Sequence, residues 1–154
     1  MRTIRTCYFY SLAIAIQFLN SSNAFGQLAV SPLPTAHAHN DYAHKQPLAG
    51  ALAAGFCSVE VDVFLVDGEL LVGHTVQELQ SDRTLSNLYL EPLKSIVEKN
   101  QGSVFRAEPR QVLWLHIDIK SDAKTTFAAI NEKLRAISHF LTRIENGETH
   151  EGPI

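Results

Sequence analysis

The chain has 154 residues, with 13 Lys and Arg against 16 Asp and Glu and a formal net charge of −3 with histidine neutral. Its basic residues form no cluster, which argues against a nucleic-acid partner. No basic amphipathic helix marks it for a membrane surface either.

The first segment has the pattern of an export signal. Arg2 and Arg5 precede an apolar run from Cys7 to Leu19, interrupted only by Ser11 and Gln17 and too short for a comfortable membrane span. Small residues follow at Ser22, Ala24 and Gly26, so cleavage is expected after Ala24 or Gly26. Residues 1–26 are thus expected to be a signal peptide, and the mature protein to be secreted or periplasmic with no stable membrane anchor; the alternative is an uncleaved anchor. Loss of Arg2 and Arg5 leaves 11 basic against 16 acidic residues, a net charge of −5. Loss of Cys7 leaves Cys57 as the one cysteine, so no intrachain disulfide is expected. Beside the buried start of an acidic strand, Cys57 suits a small apolar role.

Residues 27–34 carry two prolines and are expected to be a linker. Ala36–His39 then has the character of a short strand, and Pro47–Ala54 that of a helix with proline at its start and Gly55 as its stop. A strand is predicted over Ser58–Leu65, followed by an Asp67-Gly68 turn and a hairpin arm at Glu69–Val72. Leu90, Leu93, Ile96 and Val97 fall on one face of a predicted helix, Leu88–Lys99, closed by Asn100 and Gly102. A strand at Val112–Ile119 leads to a predicted long helix, Ala123–Ile144, on which Phe127, Ile130, Leu134, Ile137 and Leu141 recur at helical spacing. The alternation β, α, β, α, β, α is the grammar of a parallel α/β fold with its active groups at the carboxyl ends of the strands.

Chemistry is concentrated in the strands and the segments that leave them. Val59, Val61 and Val63 alternate with Glu60 and Asp62, so both carboxylates leave one face of the strand, about 6 to 7 Å apart along it. Two hard oxygen ligands so placed can share a divalent cation. The same alternation in Val112–Ile119 makes Asp118 a candidate third carboxylate ligand, with Lys120 on its face as a candidate phosphate contact. His116 faces the same way and is left outside the catalytic set. His39 ends the first strand, and His74 closes the hairpin arm. His37 and His39 also make an H-x-H pair, the way zinc-dependent amidohydrolases begin their metal sites, and in that alternative the chemistry is water activation on Zn²⁺.

The stretches His37-Ala-His-Asn-Asp-Tyr42, Gly55-Phe-Cys-Ser-Val-Glu-Val-Asp-Val63, Asp67-Gly-Glu-Leu-Leu-Val-Gly-His74 and Arg83-Thr-Leu85 resemble the superfamily of glycerophosphodiester phosphodiesterases, phosphatidylinositol-specific phospholipases C and sphingomyelinase D toxins. Within it they look most like a secreted bacterial and fungal branch that includes the altered-inheritance-of-mitochondria proteins. The resemblance covers roughly residues 35 to 120. It implies a secreted phosphoric diester hydrolase in which His39 and His74 do acid and base chemistry, and Glu60, Asp62 and Asp118 hold Mg²⁺ or Ca²⁺. The implied substrate is a phosphodiester or phospholipid head group. Glycerophosphodiesterase members usually follow the first histidine with arginine and glycine, whereas here Asn40-Asp41-Tyr42 follows, so the head group stays open. Open too are the choice between His37 and His39 and a catalytically silent binding module of the same fold.

The resemblance also implies the fold, a TIM-type (β/α)8 barrel. Such a barrel takes about 250 residues, so residues 35–154 are expected to be its N-terminal half, incomplete in this chain, with His150–Ile154 approaching a further strand. Open sheet edges would then make the isolated chain fold poorly or associate.

Overall fold

The computed structural model describes residues 30–106 and 110–154; the expected signal peptide and the first part of the linker lie outside the described residues. Strand β1, Leu33–Ala38, begins inside the stretch expected to be linker, because Leu33 N–H donates to Gly55 O at 2.7 Å. The close approach of the same segment also explains the glycine. Gly55 has φ +87°, and a Cβ there would run into the carbonyl oxygen of Ser31.

Helix α1, Ala49–Ala53, is shorter than the predicted Pro47–Ala54. Leu48 has φ 58° and ψ −57°, and its N–H is taken by the Asp41 carboxylate at 2.5 Å, so helical backbone cannot begin before residue 49. Strand β2, Phe56–Val66, extends the predicted Ser58–Leu65 at both ends. The turn at Asp67 and Gly68 has positive φ at both residues, 49° and 85°, as a two-residue hairpin of type I′ requires. Strand β3, Glu69–Val72, pairs antiparallel with the end of β2.

A π-helical turn, Ser86–Leu90, runs into helix α2, Glu91–Lys99. Its end is closed by Gly102, with φ 93°, whose N–H donates to Val97 O at 2.8 Å. Strand β4, Trp114–Ile119, leads into helix α3, Ala123–Arg135, whose N-cap Asp122 accepts from Thr125 N–H.

β4 lies parallel along β2 from Ser58 to Val63. β1, also parallel, and the antiparallel β3 divide the opposite edge of β2 between its start and its end. Val59, Val61 and Val63 are fully buried on one face of β2 and share a core with Tyr89, Leu93, Val97 and Leu113. Cys57 is buried with them as a free thiol.

The expectation of a TIM-type barrel is overturned. Among the described residues the domain is a small α/β unit with an open four-stranded sheet, three strands parallel and one antiparallel. Among the described residues β4 pairs only with β2. The predicted helix Ala123–Ile144 also ends early, at Arg135. Beyond it come a 3₁₀ turn at Ser138–Phe140 and a separate hairpin, β5 at Arg143–Glu145 and β6 at Glu148–His150. Asn146 and Gly147 take positive φ, 53° and 84°, and their two-residue turn folds the chain back into that hairpin. Residues 153 and 154 lie between the residue that precedes β4 and the segment after the 3₁₀ turn. Pro153 O accepts from Leu113 N–H, and Ile154 O accepts from Thr142 N–H. Among the described residues no helix is long and apolar enough to cross a membrane.

Candidate active site

The face of the sheet opposite the buried valines carries the polar side chains. The register pairs Glu60 with His116 and Asp62 with Asp118, so carboxylates of β2 and β4 stand side by side on one surface. Glu60, Asp62 and Asp118 each offer an oxygen, and the three atoms lie within 4.8 Å of one another.

Each carboxylate of β2 engages a histidine. His39, just beyond β1, places Nδ1 against Glu60 Oε2. His74, just beyond β3, places Nδ1 2.8 Å from Asp62 Oδ2. Both imidazoles are otherwise open, with side chains 71% and 57% exposed, while Asp62 is buried. A carboxylate on Nδ1 fixes the tautomer and ring orientation and leaves Nε2 to face an incoming group. The backbone supports both pairs. Asn40, at φ 49°, turns its N–H onto Glu60 Oε2 at 3.1 Å, and His74 N–H donates to Glu78 Oε2 at 2.8 Å.

Lys120 closes the far side. Its ammonium lies 2.6 Å from Asp118 Oδ2 and 3.4 Å from Asp62 Oδ1. The hydrogen bond to Asp118 and the charge of Asp62 hold the lysine above its ordinary range and firmly protonated. Burial pushes the Asp62 carboxyl up, but hydrogen bonds from His74 and Tyr42 and the charge of Lys120 outweigh it and keep the group below the ordinary aspartate range. Asp62 Oδ1 is buried with no hydrogen bond, the Lys120 ammonium at 3.4 Å being its ion-pair partner, an arrangement that suits a positive charge there.

The structure thus brings together all six residues singled out from sequence: His39, His74, Glu60, Asp62, Asp118 and Lys120. Sequence reasoning missed Tyr42, whose hydroxyl donates to Asp62 Oδ2 at 2.7 Å and reaches Asn40 Oδ1 at 3.1 Å. Burial, then the hydrogen bond to Asp62, pushes its phenol well above the ordinary tyrosine range, so it serves as a donor. It also missed Arg83, whose Nη2 holds the Tyr42 carbonyl at 2.6 Å while its own carbonyl accepts from Val72 N–H. The visible signals were the Asn40-Asp41-Tyr42 run and the Arg83-Thr-Leu85 stretch, whose partners lie far off in sequence.

The family described as the AIM6-like phosphodiesterase domain matches residues 27–154. The chain is similar to the altered inheritance of mitochondria protein 6 homolog of Arthroderma benhamiae, with 34% identity over 145 residues, 81% of this chain and 46% of that protein. The altered inheritance of mitochondria protein 6 of Eremothecium gossypii is 37% identical over 120 residues, covering 70% of this chain and 31% of its own length. The Saccharomyces cerevisiae protein of that name is 35% identical over 129 residues, 77% of this chain and 32% of its own. The chain therefore spans less than half the length of these relatives. No solved structure matches it. With 128 of its residues under the family's match, the chain belongs to the AIM6-like phosphodiesterase domain family.

Proposed function

We propose that this site cleaves phosphodiesters with the help of a hard divalent cation, Mg²⁺ or Ca²⁺, as in the glycerophosphodiesterase and phospholipase C superfamily. One observation carries the reading: three carboxylate oxygens, from Glu60, Asp62 and Asp118, converge between two carboxylate-bound histidines. An all-oxygen set suits Mg²⁺ or Ca²⁺, and the buried Asp62 Oδ1 without a hydrogen bond fits the same role. When bound, the cation supplies positive charge against the phosphate oxygens.

The chain's own residues do the proton work. His39, steadied by Glu60, takes a proton at Nε2 from the attacking hydroxyl or water. His74, steadied by Asp62, donates one from Nε2 to the leaving oxygen. Lys120 holds a fixed positive charge beside the carboxylates and contacts the phosphate. Tyr42 keeps Asp62 oriented while His74 changes charge. The substrate is a phosphodiester or phospholipid head group, and the protein works outside the cytoplasm, consistent with the apolar run between Arg5 and Asn20.

Turnover by the purified chain of a phosphodiester whose leaving group is an alkyl alcohol, which departs only with a proton, tests this. His74→Ala should lower the rate by about 10²- to 10⁴-fold, the usual contribution of a positioned acid or base, with cation binding retained. Cation binding with no turnover of any phosphodiester by the unaltered chain would instead identify a binding module.

A further inference from the structure

We infer that the same sheet face carries a second metal site, of imidazole type, formed by His37, His39 and Glu60 and suited to a transition-metal ion of the Zn²⁺ class. It is distinct from the carboxylate set in donor chemistry, sharing only Glu60 with it.

Three observations converge on it. His37 and His39 sit two residues apart around the end of β1, and His37 is in register with Ser58, two residues before Glu60. Donor atoms of His37, His39 and Glu60 lie within 4.8 Å of one another. Ligands around one Zn²⁺, at bonds of about 2.0 to 2.2 Å, stand roughly 3 to 4 Å apart, so small rotations of two exposed rings complete the set.

The second observation is an orienting contact. His37 Nδ1 lies 2.8 Å from Ser58 Oγ, which fixes the ring and leaves Nε2 for a metal, the arrangement that metal-binding histidines use. The third is space. His37, Ser58, Glu60 and His116 line an open cleft of about 390 Å³, with the His116 ring edge-on to His37 at a centroid distance of 5.4 Å. Solvent can complete the coordination there, and His116 stands next to the set as a further imidazole.

Ligand softness separates the two sites. Two imidazoles and one carboxylate favour Zn²⁺ or Co²⁺, whereas three carboxylates favour Mg²⁺ or Ca²⁺. The ion binding itself does not rest on the reaction proposed above; its consequence for turnover does. An ion held by His37, His39 and Glu60 takes His39 out of proton transfer and draws Glu60 away from the carboxylate set. Zn²⁺ bound there is thus an inhibitor of a reaction that Mg²⁺ or Ca²⁺ supports.

The test is titration of the tag-free chain with Co²⁺, followed by its visible ligand-field absorption, with Zn²⁺ added as competitor. One equivalent of Co²⁺ should bind and be displaced by Zn²⁺. His37→Ala should weaken Co²⁺ binding by at least about tenfold, since even outer-shell partners of a metal site contribute 10- to 100-fold. Asp118→Asn should leave Co²⁺ binding unchanged while weakening Ca²⁺ binding. His37→Gln, which keeps a polar group against Ser58, serves as a second variant, and circular dichroism verifies that both remain folded. Absence of Co²⁺ uptake, uptake indifferent to both His37 variants, or uptake weakened by Asp118→Asn as much as by His37→Ala would overturn the site.

Discussion

The hydroxyl of Tyr42 donates to Asp62 Oδ2 at 2.7 Å, on the same oxygen that receives His74 Nδ1 at 2.8 Å. One buried carboxylate oxygen thereby ties the loop after β1 to the loop after β3. Tyr42→Phe removes a hydrogen bond to a charged group, an interaction of about 1.5 to 3 kcal/mol, and frees Asp62 to rotate. The variant should unfold at lower urea concentration and bind Mg²⁺ or Ca²⁺ more weakly, measured by denaturation and calorimetry.

Tyr89 does the same for the other buried acid. Its hydroxyl donates to Asp41 Oδ2 at 2.9 Å, the oxygen that also accepts from Leu48 N–H. Burial, then Asp41, pushes the Tyr89 phenol far above the ordinary range, so it stays a donor throughout the working pH range. Tyr89→Phe should cost a similar 1.5 to 3 kcal/mol or so. Cation affinity should change little, because Asp41 faces the core; this contrast with Tyr42→Phe separates support of the fold from support of the site.

Lys120 occupies the space between Asp118 and Asp62, so its ammonium competes with any cation for those oxygens. Lys120→Met should tighten Ca²⁺ or Mg²⁺ binding by about fivefold, the scale of one partly exposed charge pair. Turnover should fall in the same variant, because the phosphate contact is lost. Calorimetry and steady-state rates on one preparation test the opposed signs.

Helix α3 should respond to acid through its cap. The Thr125 backbone N–H, then its hydroxyl, bond Asp122 and hold its carboxyl below the ordinary aspartate range. A folded pKa below the unfolded one means that the stabilisation is complete above the unfolded value, about 3.9, and is lost as pH falls through the lower folded value. Circular dichroism from pH 5 downward should show α3 loosening in that window, and Asp122→Asn should remove this part of the acid dependence.

Alternation along β2 was legible because Val59, Val61 and Val63 can be buried only if Glu60 and Asp62 face the other way. The hairpin arm Glu69–Val72 was legible because Asp67-Gly68 permits positive φ. Alternation assigns faces to strands but says nothing about closure, so it could not separate an open sheet from part of a barrel. Helical spacing carried the predicted α3 through Ile137 and Leu141, although Asn146-Gly147 marked the hairpin that replaces its end. The start of α1 was hidden in a contact between Asp41 and Leu48. Tyr42 and Arg83 were silent for the same reason: each acts on a partner 20 or more residues away, which local pattern cannot reveal.

Cation dependence of phosphodiester cleavage tests the central claim most directly. The purified chain would be assayed with bis(p-nitrophenyl) phosphate before and after EDTA, with Mg²⁺ or Ca²⁺ restored and with Asp62→Asn alongside. The account predicts turnover that EDTA abolishes, that added Mg²⁺ or Ca²⁺ restores, and that Asp62→Asn lacks under every condition. Turnover indifferent to EDTA, or equal in Asp62→Asn, would contradict it.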